Sequence, residues 1–179
     1  MKLLLYCTKA KPYLNCDFGK DNHEEYSNEH FVYLANKKEE CSNIVNGKIV
    51  AECDFEVEKL FIKYGEGWQT DTIKGTENIE KLSCINREQL YQYCKGNGYA
   101  IHIKNLKVFD KPYELGKALI YNFNTQYIVE KAPQNMMKVY NRAGECHILI
   151  SIRPEWLCKI LNGEKTIEVR KKVLKGMMK

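Results

Sequence analysis

Three charged residues near the end of the chain have the types and spacing to do chemistry: Lys165, Glu168 and Arg170, which follow Gly163. Lysine offers a compact positive charge to a phosphate, or a general base where burial depresses its pKa. The arginine fork can give two parallel bonds to one carboxylate or phosphate. A glutamate between them can orient either cation, or act as acid or base itself. The same residues also suit a plainer role, as solvent-facing charges of an edge strand. Side chains alternate along a strand, which would put Lys165 on one face and Glu168 and Arg170 on the other. The three meet in one cleft only if Lys165 lies in the turn made by Gly163, and its nearness to that glycine favours the turn.

Further candidates lie elsewhere. Thr8, Lys9 and Lys11 form a polar turn before Pro12. Gln134 and Asn135 carry amides that can bond a base edge or satisfy a turn. Glu52 or Glu56, on the outward parity of a strand, could add a carboxylate or could simply be solvated. His23 and His30 sit in a polar stretch, His102 is expected to face solvent, and Trp156 reads as core. No two cysteines form a C-x-x-C pair, so the usual zinc and thioredoxin-like spacings are absent; no metal ligand and no cofactor are predicted, and the sequence leaves dependence on a divalent metal open.

The elements that must position these residues can be read from periodicity. Lys2–Tyr6 is a short buried strand. Asn46-Gly47 is a turn that opens a long alternating strand from Lys48, with Ile49, Ala51, Cys53, Phe55 and Val57 on one parity. Residues 64–80 read as loop. Asn86 caps a helix over Arg87–Lys95, with Gln89 as capping-box partner. Tyr99–Val108 alternates as a strand, Asp110–Leu119 reads as a helical turn opened by Pro112, and Tyr127–Val129 as a short strand. After a turn at Pro133 comes a strand to Tyr140. A strand over His147–Ile152 follows, then a helix with Pro154 in its first turn and Trp156, Leu157, Ile160 and Leu161 on one face. Gly163 ends that helix, and Lys165–Arg170 is a last strand. The order predicts an α+β, mainly β fold, a small β-barrel with about three short helices.

Composition narrows the class. The 179 residues, 44% hydrophobic and 28% charged, suit one globular domain with its own core. No stretch approaches the roughly 18 apolar residues of a membrane span, and Leu3-Leu4-Leu5 is too short for the core of a secretory leader. With eight cysteines in no framework spacing, the expectation is a cytoplasmic protein with reduced thiols and no membrane partner. The net charge of +5 is uneven: residues 147–179 hold eight Lys or Arg and three Glu, which leaves 20 of each sign in residues 1–146. Such a bias suits an edge that faces a polyanion.

Two blocks resemble the ASCH domain family of the PUA-like superfamily, as found in phage and bacterial proteins. Ile148–Trp156 through Asn162–Arg170 is similar to the opening of that domain, whose G-x-K-x-x-E-x-R signature stands here as Gly163, Lys165, Glu168 and Arg170. The preceding chain resembles the later parts: Tyr6–Leu14, Gly47–Cys53, Gly98–Ile103 with Phe109–Pro112, and Ala132–Met136. The family's opening thus follows its closing segment, the order of a circular permutation. A truncated tandem repeat is the competing explanation. On the permuted reading residues 1–172 are one domain: 1–143 supply the later barrel elements, 144–146 belong to the linker, and 147–170 supply the signature strand, helix and strand. Residues 173–179 are expected to be a frayed tail.

The resemblance implies a protein that binds RNA or a nucleotide-derived ligand in a basic cleft at the barrel rim. Lys165 and Glu168 would be its catalytic pair if it is a hydrolase, either a ribonuclease or a nucleoside amidohydrolase. Arg170, Thr166, Thr8, Lys9, Lys11, Gln134 and Asn135 would line the ligand. An adaptor that contacts proteins is a further reading. A monomer is expected, with a domain-swapped dimer as the alternative. As a rim lysine, Lys165 is expected to be replaceable by alanine without loss of stability.

Overall fold

The computed structural model describes residues 1–8, 47–63, 67–70 and 79–178. Their strands are β1 (Lys2–Cys7), β2 (Lys48–Lys63), β3 (Gly67–Thr70), β4 (Asn97–Glu114), β5 (Tyr121–Asn122), β6 (Met136–Tyr140), β7 (Cys146–Ile152) and β8 (Ile167–Arg170). The helices are α1 (Ile79–Ser83), α2 (Arg87–Cys94) and α3 (Pro154–Leu161). The fold is mainly β, with one mixed eight-stranded sheet in the order β5-β6-β7-β1-β2-β4-β8, to which β3 adds as a partner of β2. The pairing of β1 with β7 is parallel, Lys2 opposite His147 through Cys7 opposite Ile152, and the other ladders are antiparallel.

The central strands are buried on both faces, which is why β1 and β7 read as continuous apolar runs rather than alternating ones. One face carries Leu3, Leu5, Ile148, Ile150 and Ile152 against Leu157 and Ile160 of α3. The opposite face carries Leu4, Tyr6, Leu149 and Val139 against Ile120 and Val129. A third cluster, Leu60, Ala100, Ile167 and Val169, receives α1 and α2 through Ile79, Leu90 and Cys94.

The long strands bend at two irregularities. Asn105, with φ +48°, and Leu106 stand in a bulge against Cys53, and Asn105 Nδ2 donates to Asp54 Oδ2 at 2.9 Å. Farther on, residues 109–112 of β4 lie opposite Val50 alone. This is the stretch expected to be helical. It is extended instead, because Pro112 falls in the irregularity, where its missing N–H breaks no ladder bond. The loop expected at 64–80 contains β3 and the start of α1. The capping box of α2 forms as expected: Asn86 Oδ1 accepts from Gln89 N at 2.9 Å, and Gln89 Oε1 accepts from Asn86 N at 3.3 Å.

Among the described residues the ladder is open, with β5 and β8 at its ends. It nevertheless curls far enough for Arg170, at one end, to reach Ser151 of β7 and Asn135 ahead of β6. The chain after β8 returns to the core. Val173 and Leu174 pack on it and Met177 is 3% exposed within it, so residues 173–178 are not the frayed tail expected of a charged terminus. Their three apolar side chains outweigh Lys175 between them.

The described cysteines are free thiols. Burial pushes Cys53 up to about 12 and Cys94 up to about 11, from an ordinary 9.0. As pH rises above that ordinary value the unfolded chain releases these protons first, so stability present below it is lost as pH climbs toward the folded values. At 1.36 kcal/mol per pKa unit the loss through Cys53 reaches on the order of 3 kcal/mol by about pH 11, two units above the ordinary value. Denaturant melts at about pH 8 and about pH 11 should show this fall, and a smaller one in Cys53→Ala.

Candidate functional site

The signature residues sit where α3 hands the chain to β8. Pro154 at the first helical turn needs no N–H partner, and Gly163, at φ +76°, reverses the chain after Asn162. Lys165 then lies outside β8, which starts at Ile167. The segment is pinned from three sides. Lys165 N donates to Lys159 O at 2.9 Å, Thr166 N to Leu82 O at 2.9 Å, and Ile103 N to Thr166 O at 2.8 Å. Strand parity is thereby escaped, and all three charged side chains converge.

Their geometry is that of a buried ionic chain. Lys165 Nζ donates to Ser83 O at 2.6 Å, lies 3.4 Å from Glu168 Oε2, and stands 5.1 Å from the centre of the Trp156 ring. Glu168 Oε1 is 2.8 Å from Arg170 Nε, in ion-pair contact without hydrogen-bond alignment. Arg170 Nη1 donates to Asn135 Oδ1 at 2.9 Å and Nη2 to Ser151 O at 2.7 Å. Ser151 is itself held, with Oγ donating to Pro133 O at 2.6 Å and N to Asn135 O at 2.9 Å. The Lys165 residue is 1% exposed and Glu168 is 7% exposed. Burial lowers the pKa of Lys165, and the Glu168 carboxylate opposes that shift.

This corrects the expectation of a rim lysine. Lys165 Nζ is enclosed, so the residue cannot be removed without cost. The reason lies in α1, of which only the first two residues fall in the expected loop, and which supplies the Ser83 carbonyl as the partner of Lys165 Nζ.

Two basic side chains share one carboxylate in the chain Lys165–Glu168–Arg170, and burial opposes the charge on Lys165. Neutral acceptors on Ser83, Ser151 and Asn135 and the π face of Trp156 surround the two basic groups. Above it lies an open basic and aromatic surface. Gly98 lets α2 approach closely: a Cβ there would stand 2.7 Å from Cys94 Sγ and 3.3 Å from Arg170 O. Tyr93 of α2 is thereby brought within the field of Arg170, Glu168 and Arg153. It is 40% exposed, with burial raising its pKa and Arg170 opposing the rise. Lys171 Nζ stands 5.0 Å from the Tyr93 ring centre, and the Arg153 side chain, 76% exposed, has Nη1 3.9 Å from Glu155 Oε1.

The remaining expected residues divide. Asn135 joins the site as the partner of Arg170, with Nδ2 also donating to Lys172 O at 3.4 Å. Thr166 takes part through its backbone. Thr8 extends the β1–β7 pairing, its N donating to Ile152 O at 2.9 Å, so it lies beside the site without a side-chain bond to it. Gln134 is exposed. Lys9 and Lys11, with His23 and His30, lie outside the described residues. His102 meets Glu58 at 3.1 Å, and Glu52 and Glu56 pair with lysines. Among the described residues no three His, Cys, Asp or Glu side chains gather where they could hold a metal.

Tyr93, Ser83, Ser151 and Arg153 were not singled out from the sequence. Ser83 and Ser151 act through backbone carbonyls, which every residue has and no residue type announces. No family model, curated protein or solved structure matches this chain.

Proposed function

We propose that this chain is a circularly permuted ASCH-type module with a PUA-like, barrel-derived sheet. Its open face over Glu168 and Arg170 takes RNA or a nucleotide-derived ligand. One observation carries the reading: a face that exposes Arg153, Lys171 and the Tyr93 ring lies beside the buried Lys165–Glu168–Arg170 network, in which two basic side chains meet one carboxylate. Exposed cations attract phosphates, and an aromatic ring gives a base a surface to stack on. In this arrangement the signature residues are the floor and scaffold, and the exposed residues make contact. The curled sheet and the place of β7 between β6 and β1 support the permuted order.

A hydrolase with Lys165 and Glu168 as working pair is the second reading, favoured by the burial that lowers the pKa of Lys165. It requires a substrate to displace Ser83 O or Glu168 from an ammonium that the fold encloses.

The test is a titration with labelled single-stranded RNA at two salt concentrations, with turnover of RNA and of acylated nucleosides measured alongside. The double variant Arg153→Ala/Lys171→Ala should bind about tenfold more weakly and lose about two from the slope of log affinity against log salt. Its stability should stay within about 0.5 kcal/mol, since both side chains are exposed. Equal affinity and slope would remove this face from the ligand site. Turnover abolished in Lys165→Met, with binding retained, would promote the hydrolase.

A further inference from the structure

The far edge of the sheet carries a second surface, separate from the Glu168–Arg170 face. From Tyr121 to Ile128 the chain makes a tight hairpin against β6. Asn122 N donates to Tyr127 O and Gln126 N to Asn122 O, both at 2.9 Å, and Phe123 N to Lys138 O at 3.0 Å. Asn122 Oδ1 accepts from Asn124 N at 2.8 Å and from Thr125 N at 3.2 Å, and Asn122 Nδ2 lies 3.1 Å from Met137 Sδ. A turn so tied needs little ordering when it binds something.

What this turn holds out is apolar and aromatic. Tyr127 is 78% exposed, Phe123 47% and Ile128 39%. Single exposed apolar residues need no explanation, but a rigid turn that carries three of them does. Tyr121 and Tyr140 stack at its base, 5.3 Å apart and 17° from parallel. Lys138 Nζ lies 3.8 Å from the centre of the Phe123 ring. Beside it opens a shallow hollow of about 250 Å³, lined in part by Thr125, Ile128, Glu130, Lys131 and Met137. That is below the roughly 300–1,000 Å³ of a site for a drug-sized ligand, and suits one flat ring.

Charge selects the occupant. Residues 121–142 carry Lys131, Lys138 and Arg142 against Glu130 alone. A second copy of the chain would set like charge on like, whereas a polyanion is attracted. Exposed rings interleaved with cations are what a flexible strand of unpaired bases needs: stacking surface for the bases and positive charge for the phosphates. A duplex keeps its bases stacked on one another and offers this edge only phosphates.

We propose that the Tyr121–Ile128 hairpin is a stacking site for an unpaired base of single-stranded RNA. The base lies on Tyr127, its edge enters the hollow at Thr125, and the flanking phosphates meet Lys131 and Lys138. Only the choice of RNA rests on the function proposed above.

The experiment is a polarisation titration of the full chain with labelled single-stranded RNA of about twelve nucleotides and with an RNA duplex of equal length. The proteins are wild type, Tyr127→Ala, Tyr127→Phe and the Arg153→Ala/Lys171→Ala variant. Tyr127→Ala should bind the single strand about tenfold more weakly, and Tyr127→Phe should bind it within about twofold of wild type, because the ring remains. Duplex binding should be weaker and indifferent to both Tyr127 changes. Loss of binding in the double variant with none in Tyr127→Ala overturns this inference and leaves the earlier reading standing. The converse result keeps the hairpin and removes the other face. A wild type that binds no single strand, or a dimer that Tyr127→Ala dissolves, overturns the hairpin proposal outright.

Discussion

Glu168→Ala is expected to destabilise the fold by about 3–5 kcal/mol, the usual cost of removing one partner from a buried ion pair. The argument is one of charge balance. Glu168 is 2.8 Å from Arg170 and 3.4 Å from Lys165, and its side chain is 10% exposed. Without it the buried Arg170 guanidinium is left with only carbonyl and amide oxygens, and Lys165, whose pKa burial already lowers, loses the carboxylate that opposes that shift. Those oxygens orient a charge but cannot cancel one. Glu168→Gln keeps the shape and one acceptor and should lose less. Replacing Lys165 with methionine should also cost less than removing Glu168, because it leaves the Glu168–Arg170 pair intact. At about 2–4 °C per kcal/mol for a chain of this size, Glu168→Ala should lower Tm by roughly 10 °C. A shift of a degree or two would mean that water reaches the carboxylate and that the network is a surface feature.

A chain ending at Gly144 is expected to show no cooperative melt at all. The truncation removes β7, the strand that pairs with both β6 and β1, and so cuts the sheet through its middle. It also removes Ile148, Leu149, Ile150, Ile152, Leu157, Ile160, Ile167, Val169 and Met177 from the core. At about 1.5–3 kcal/mol for each buried side chain, the loss exceeds the 5–15 kcal/mol stability of an ordinary domain. The remaining strands would expose an apolar edge at β1, which invites aggregation. Circular dichroism and a thermal melt decide the matter. A transition near that of the full chain would mean that the last segment is an appendage, and the permuted-domain reading would fall with it.

Much of this architecture was legible because its signals are local. The capping box at Asn86 and Gln89, Pro154 at a helix start, Gly163 past its end, and the alternation after Gly47 each specify a conformation within a few residues. The position of Lys165 followed from a parity conflict that only a turn resolves. What escaped notice depends on distant partners. Residues 109–113 resemble a helix start, with Pro112 near the first turn. They are held extended because the pairs on either side of residues 109–112, Val108 with Ala51 and Tyr113 with Ile49, keep β4 on β2, and periodicity contains nothing of that pairing. The tail 173–178 reads as solvated because it lies in a lysine-rich terminus, and the core against which Val173, Leu174 and Met177 pack is built from distant strands. The burial of Lys165 was missed for the same reason. Its charge is tolerable only because the Ser83 carbonyl meets it, and the five-residue α1 that brings Ser83 there has too little periodicity to announce itself.

The central claim, that RNA or a nucleotide-derived ligand lies over Glu168 and Arg170, is tested most directly by mapping where the chain is touched. An amide-resolved NMR titration of the isotope-labelled 21.0 kDa protein with single-stranded RNA and with a nucleoside monophosphate does this without relying on any substitution. The account predicts saturable shifts for Tyr93, Arg153, Arg170 and Lys171 with both ligands, weakening as salt is added. Resonances along the paired stretch of Glu56 and Lys104 should stay in place. Shifts confined to residues away from this face, or none with either ligand, would contradict it.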